Sequence, residues 1–305
     1  MKPSQKRKCE LFVYNRSIVK QNFKKAKPVL ISLSSEAYSS LLYVFDTSKV
    51  LSQRESLKLK KSAATSLIAT RMSLCDKSTD DRIYDIYTEI KKRLKKKHCR
   101  ECYVQYTACI LAEYTDDTDS ARVAHLATKQ FESIRARKSA LRCCNDFTVS
   151  SLLAICGTKN RNETSDDIAE CIKELKERNL PTTTSKYVSR ILAFGKGVAS
   201  ARCDRFIRLL ELLKERDVRL GTGKETVTVA FASLVDMPDE ILADSIAEVN
   251  NFFEKSKAFD LETADTRRAM YSVLVACEEL ISDIDDPTLR LIKEATLADI
   301  LSFGI

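Results

Sequence analysis

Ser66-Leu67-Ile68-Ala69, Cys109-Ile110-Leu111-Ala112 and Ser151-Leu152-Leu153-Ala154 are occurrences of one short apolar segment whose recurrence decides the fold. It returns as Arg190-Ile191-Leu192-Ala193, loosely as Ala230-Phe231-Ala232, and as Val273-Leu274-Val275-Ala276. Measured between the closing alanines, the intervals are 43, 42, 39, 39 and 44 residues. A repeat in this size range marks an array of small units. Between the marks lie apolar stripes at helical spacing: Ile83, Ile86, Ile90 and Leu94; Ile168, Ile172 and Leu175; Phe206, Leu209, Leu210 and Leu213. The closest internal match is Leu175-Lys176-Glu177-Arg178-Asn179 against Leu213-Lys214-Glu215-Arg216-Asp217, offset by 38.

Each unit therefore reads as a charged amphipathic helix, a loop, and a shorter, more apolar helix. Helix starts are expected at Ser165-Asp166-Asp167, Asp236-Met237-Pro238-Asp239-Glu240 and Asp285-Asp286-Pro287, where acids and Pro suit a first turn. Thr182-Thr183-Thr184 and Glu262-Thr263 offer hydroxyl caps for the apolar helices. Thr226 to Ala232 alternates like a strand, but it occupies the apolar-helix slot and is read as helix. The glycines near 221–223 are expected to end the helix that closes near Val218.

Neither helix of a unit hides its apolar face alone, so the units must stack. The expectation is an all-α fold, an α-solenoid of about six to seven helix pairs with a repeat of roughly 39–44 residues. Residues 1–305 form one array: a basic N-terminal helical cap at 1–50 (helices at 9–25 and 35–45), helix-pair repeats at 51–285, and a C-terminal capping helix at 286–305. Composition agrees. Of 305 residues only 6 are Gly and 5 are Pro, too few for the turns of a sheet-rich fold or a phosphate-binding glycine loop.

Several segments resemble known families. The order Leu175 to Arg178, a loop, Ser185-Lys186-Tyr187 and Ile191-Leu192-Ala193, with the opening Tyr14-Asn15-Arg16-Ser17-Ile18-Val19-Lys20-Gln21-Asn22-Phe23-Lys24, resembles an uncharacterised bacterial family, domain of unknown function 4003. That resemblance implies an all-helical chain of about this length. The family has no assigned activity, so it implies no functional residue. The middle units also look like pentatricopeptide repeats, with a loop Pro at Asn179-Leu180-Pro181. Their shorter period breaks register with this chain, so no base-reading residue maps.

Net charge is +8, unevenly spread: residues 1–100 hold 24 Lys+Arg against 9 Asp+Glu, and the remainder is acidic. In an extended array this becomes a basic end and an acidic end. Lys91, Lys92, Arg93, Lys95, Lys96, Lys97 and Arg100 form a candidate anion or partner patch, beyond what capping a helix C-terminus requires. Tyr84, Tyr87, Tyr103 and Tyr106 lie near it, as base-stacking candidates or as core. His98, Cys99 and Cys102 have the spacing of half a zinc site, but the other half is missing. Gly221-Thr222-Gly223-Lys224-Glu225-Thr226 fails as a phosphate loop, having Glu where Ser or Thr must bind magnesium.

Cys numbers 11, an odd count with many members on apolar faces, which fits a reduced cytoplasm better than a disulfide framework. Residues 1–9 lack the apolar core of a secretory signal, and no run reaches the ~20 apolar residues of a membrane span. No catalytic constellation, metal or cofactor is expected. The reading is a non-enzymatic scaffold that binds a protein or peptide along its concave surface; the alternative is sequence-tolerant RNA binding through the basic N-terminal third.

Overall fold

The computed structural model describes residues 1–24, 26–62, 64–75, 79–94, 99–116, 118–136, 146–157, 159–256, 259, 265–284 and 286–302, without the side chains of 282–284. The described residues form helices and loops, with no strand among them. Consecutive helices pack as pairs: α1 (Pro3–Asn22) with α2 (Pro28–Ser40), α3 (Thr47–Ser56) with α4 (Thr65–Met72), and α5 (Asp80–Arg93) with α6 (Glu101–Tyr114). The series continues with α7 (Ser120–Ala136) and α8 (Asp146–Cys156), α9 (Arg161–Glu177) and α10 (Thr182–Leu192), α11 (Ala199–Glu215) and α12 (Val227–Ala232), and α13 (Asp239–Lys255) and α14 (Asp265–Ile284). A final helix, α15 (Pro287–Leu301), follows. The chain is all-α and built of pairwise-packed helices, consistent with a helical-repeat arrangement.

The recurrent segment falls on the second helix of each pair from α4 to α14. Its closing alanines Ala69, Ala112, Ala193, Ala232 and Ala276 are buried, and Ala154 is half-buried. The 38-residue match is reproduced in backbone detail. Asn179 and Asp217 sit at φ 61° and 58°, a left-handed conformation that short polar side chains tolerate. The amides of Leu180 and Val218 then reach back to the carbonyls of Leu175 and Leu213, at 3.0 and 2.9 Å. Arg178 and Arg216 each donate from Nη1 to a carbonyl one turn back, and from Nε to Asp204 or Asp244 on the next long helix. It is thus Asp217, not a glycine, that ends α11.

Several boundaries differ from expectation. The second helix begins at Pro28, not 35, because Pro at the first position needs no amide partner. It ends at Ser40, with Leu42 at φ 60°. Helix α9 begins at Arg161, where Asn160 and Glu163 form a reciprocal cap. Pro181, not a threonine hydroxyl, precedes α10, and Thr184 Oγ1 donates instead to the Thr222 carbonyl. Thr226–Ala232 is helical as read, with a short 3-10 turn at Lys224–Thr226 leading into α12. Asp286 caps α15 as expected, accepting from the Thr288 amide at 2.7 Å. Glu262-Thr263 lies outside the described residues.

The array is not extended. Helix α1 packs against both α13 and α14, and α2 against α14, so the series returns on itself. Phe12 joins the two ends, with ring centroids 5.1 Å from Phe253 and 5.9 Å from Tyr271. Gln5 Nε2 donates to Ser245 Oγ at 2.7 Å, and Lys8 pairs with Glu279 at 3.2 Å. The basic N-terminal helix therefore lies on the acidic C-terminal pair, so these two parts of the chain meet instead of standing at opposite ends. The cause is largely apolar: Cys9, Leu11 and Phe12 of α1 are buried and need cover, with Lys8 buried beside them and paired with Glu279.

The last helix is also placed otherwise than as an end cap. Helix α15 packs against α2, α6, α8, α10, α12 and α14, and its residues from Ile292 to Leu301 are all buried. It runs along the inside of the array, where a concave binding groove was expected.

Candidate functional site

A helix buried on every side should be apolar all round, yet α15 carries Lys293, Glu294 and Asp299 inward. Each meets a charge projected from a surrounding helix. Lys293 Nζ lies 2.7 Å from Glu36 on α2 and 2.5 Å from Glu278 on α14. Glu294 Oε2 accepts from Arg71 Nη1 of α4 at 2.8 Å, and its Oε1 accepts from the Tyr114 hydroxyl of α6 at 3.1 Å. Arg71 also grips Glu113 Oε2 through Nε and Nη2, at 2.9 and 2.8 Å. One turn further along α15, Asp299 accepts from Arg190 Nη2 of α10 at 2.8 Å, while Nη1 of the same arginine binds Asp146 on α8. The Arg190 guanidinium also lies 4.6 Å from the centre of the Tyr187 ring.

Burial sets the electrostatics. It pushes the Glu36 and Glu113 carboxyls above the usual carboxylate range, against the pull of Lys293 and Arg71. Burial also works against the charges of Arg71 and Lys293, but their facing carboxylates outweigh it and hold both cations protonated. Burial raises the phenols of Tyr106 and Tyr114, and the protonated Tyr114 hydroxyl donates to Glu294. Around the upper members lies a cavity of about 410 Å³, walled by Glu36, Arg71, Glu113, Tyr114, Glu278, Arg290, Lys293 and Glu294, with Ala37, Leu41, Leu74 and Ile281 as its apolar part. A second cavity, of about 660 Å³, is bounded by Lys27, Lys224, Arg267 and Tyr271.

Residues 58–301, more than half of the chain, match the family model described as a protein of unknown function, DUF4003. The chain belongs to the DUF4003 family. No curated protein and no solved structure matches it. No described helix of this DUF4003 chain is long and apolar enough to cross a membrane.

The patch expected from the sequence is only partly visible in the DUF4003 fold. Lys95, Lys96, Lys97 and His98 lie outside the described residues. Lys91 pairs with Glu101 at 2.5 Å, and Lys92 and Arg93 both pair with Glu89, at 2.5 and 2.7 Å. Arg100 precedes α6 and is exposed. Tyr103 and Tyr106 are core residues, whereas the Tyr87 hydroxyl donates to Glu101 and Tyr84 is exposed. Cys102 is buried and Cys99 half-buried. No group of three metal-ligating residues exists among the described residues. Lys224 opens the 3-10 turn before α12 and lies 4.8 Å from the Tyr187 ring. His125 is exposed on α7.

The inward charges were missed from sequence, although a signal existed. Arg71, Arg190 and Asp299 each interrupt an otherwise apolar or small-residue helix segment, which is where a buried ion pair announces itself.

Proposed function

We propose that this chain is a binding scaffold that recognises a protein or peptide partner and performs no catalysis. Its frame is a closed ring of seven helix pairs, α1/α2 to α13/α14, with a 39–44 residue repeat and α15 as its axle. With the inside filled, the partner binds at the rim. One observation carries this reading. Leu41, Leu42, Tyr43 and Val44, directly after α2, are 49, 48, 57 and 52% exposed. Four consecutive large apolar residues in solvent are costly unless something covers them.

The run is also held in place. Asn15 Nδ2 donates to the Tyr43 carbonyl and its Oδ1 accepts from the Phe45 amide, both at 2.8 Å. Leu42 keeps a left-handed φ of 60°, which an isolated leucine avoids. Backbone strain maintained by neighbouring structure is a common mark of a functional loop. Exposed Tyr14, the neighbour of Asn15, adds a further apolar surface.

The test is photo-crosslinking in cells with a benzoylphenylalanine at position 43 and a control at Lys173 on α9. The expected result is one discrete adduct with a different protein at 43 only, lost in the Leu42→Asp variant. No adduct above the control, or an adduct with a second copy of this chain, overturns the reading.

A further inference from the structure

We infer that the cavity of about 600 Å³ between the end of α1, the start of α2, α3 and the start of α4 is a binding site for a small polyphosphate. The site lies apart from the apolar run at the rim and takes a small molecule, so it goes beyond the scaffold reading. Lys24, Lys27 and Arg54 line the cavity, and no carboxylate lines it among the described residues. None of the three makes an ion pair among the described residues. Exposure alone does not explain this, because exposed arginines elsewhere find carboxylates: Arg208 pairs with Asp239 and Glu240, and Arg219 with Asp217. Positive charge is gathered here without a counter-charge.

Lys27 is also in conflict with its own helix. It occupies the cap position of α2, where it makes no side-chain cap, and the first turn that follows holds no acid. A cation there opposes the helix dipole, and the preferred cap is a short polar or acidic side chain. Asp46, Thr79, Asn160 and Asp286 fill that place in α3, α5, α9 and α15. The start of α2 thus gives up stability to hold its charge, and an oxyanion in the cavity relieves the repulsion. The side chains of Gln21 and Ser66 line the same cavity and make no hydrogen bond among the described residues, so both have donors to offer. Arg54 brings the planar fork that suits phosphoryl oxygens. Three cations exceed what one carboxylate neutralises, and the space exceeds what one phosphate fills. Lys27 lines the neighbouring 660 Å³ cavity as well, where Arg267 is likewise without an ion pair among the described residues, alongside Glu225. A chain of phosphates can extend past Lys27 in that direction.

Two sources carry this chemistry, an inorganic polyphosphate or a nucleoside polyphosphate. Calorimetric titration of the full chain separates them, using metal-free tripolyphosphate and ATP at fixed ionic strength, with citrate as a polyanion of carboxylates. Saturable binding of at least one phosphate ligand, weakened by added salt, is expected. Affinity for tripolyphosphate at or above that for ATP assigns the inorganic chain; preference for ATP assigns a nucleoside polyphosphate. Arg54→Gln, at an exposed position, should weaken binding about tenfold, the loss of one charge-assisted contact. Lys27→Ser should weaken it similarly and raise the melting temperature of the unliganded chain by about 2 °C, because it installs an ordinary cap. Lys173→Gln, exposed on α9, should change neither. No saturable binding, citrate bound as tightly as the phosphates, or binding of an oligouridylate alone overturns the inference. So does affinity unchanged in Arg54→Gln and Lys27→Ser, an equal loss in Lys173→Gln, or a lower melting temperature for Lys27→Ser. Crosslinking at position 43 reads a different surface, so either result stands without the other.

Discussion

Arg71 and Glu294 stand 223 residues apart in the chain and meet at 2.8 Å inside the array. Glu113 takes the other edge of the same guanidinium, so one side chain ties α4, α6 and α15. Replacing Arg71 by Met keeps the volume but leaves two desolvated carboxylates facing each other. The expected loss is about 3–5 kcal/mol, read from urea unfolding. Arg71→Met with Glu113→Gln and Glu294→Gln should recover part of it. A single variant as stable as the parent contradicts the buried network.

Closure of the array makes a second prediction. A compact chain of this length has a radius of gyration near ~19 Å, and an open solenoid of the same helices is visibly larger by small-angle scattering. Phe12 is fully buried between Phe253, Phe259 and Tyr271. Phe12→Ala should cost about 3–5 kcal/mol. A large scattering radius for the parent, or a neutral Phe12 variant, excludes the closed form.

Leu42 gives a trade between stability and binding. Leu42→Gly removes the left-handed penalty, worth about 1 kcal/mol, against a smaller entropic cost in the unfolded chain. The melting temperature should hold or rise while crosslinking at position 43 falls. A drop in both would mean that Leu42 is held by packing, contrary to its exposure.

The buried carboxylates set a pH dependence. Burial raises Glu36 and Glu113, so the folded chain holds protons that the unfolded chain releases near pH ~4.3. Their contribution to stability therefore falls as pH rises from there through the raised values. Lys293 shows its effect at the other end. Burial opposes its charge, but Glu278 and Glu36 lift its pKa above 10.5, so its contribution is lost as pH rises past that point. Unfolding measured across pH should show the stability difference between parent and Glu113→Gln declining with pH. A difference that grows with pH contradicts the sign.

Thiol reactivity should follow burial. Cys9 is pushed up to about 12 by burial, and Cys109 and Cys277 are raised likewise. Mass-mapped alkylation of the native chain should find Cys75, Cys99 and Cys156 ahead of Cys9, Cys109 and Cys277. Rapid labelling of Cys277 would place that helix nearer the surface.

What the sequence made legible was local. The alanine-marked segments and the Leu175 and Leu213 helix ends identify units because each unit's contacts repeat at a fixed offset. Curvature is not local: it sums small angles over many helix pairs, so nothing near Phe12 says that Phe253 will lie 5.1 Å away. The expected end cap failed for the same reason. Asp286-Pro287 does start a helix, but what α15 touches depends on whether the array leaves an inside to fill. The candidate site was invisible because its charges are spread over seven helices, whereas Lys91 to Arg100 stand together along the chain. The lone charges in apolar segments were the readable clue.

An array that bites its own tail has a fixed size. Open repeat proteins grow or shrink over evolution by copying or dropping a unit, because any new terminus is as good as the last. Here such an event would force the first and last hairpins apart and leave Phe12 wet and Lys8 without Glu279. Relatives with this joint should therefore vary in their loops and keep their number of hairpins constant.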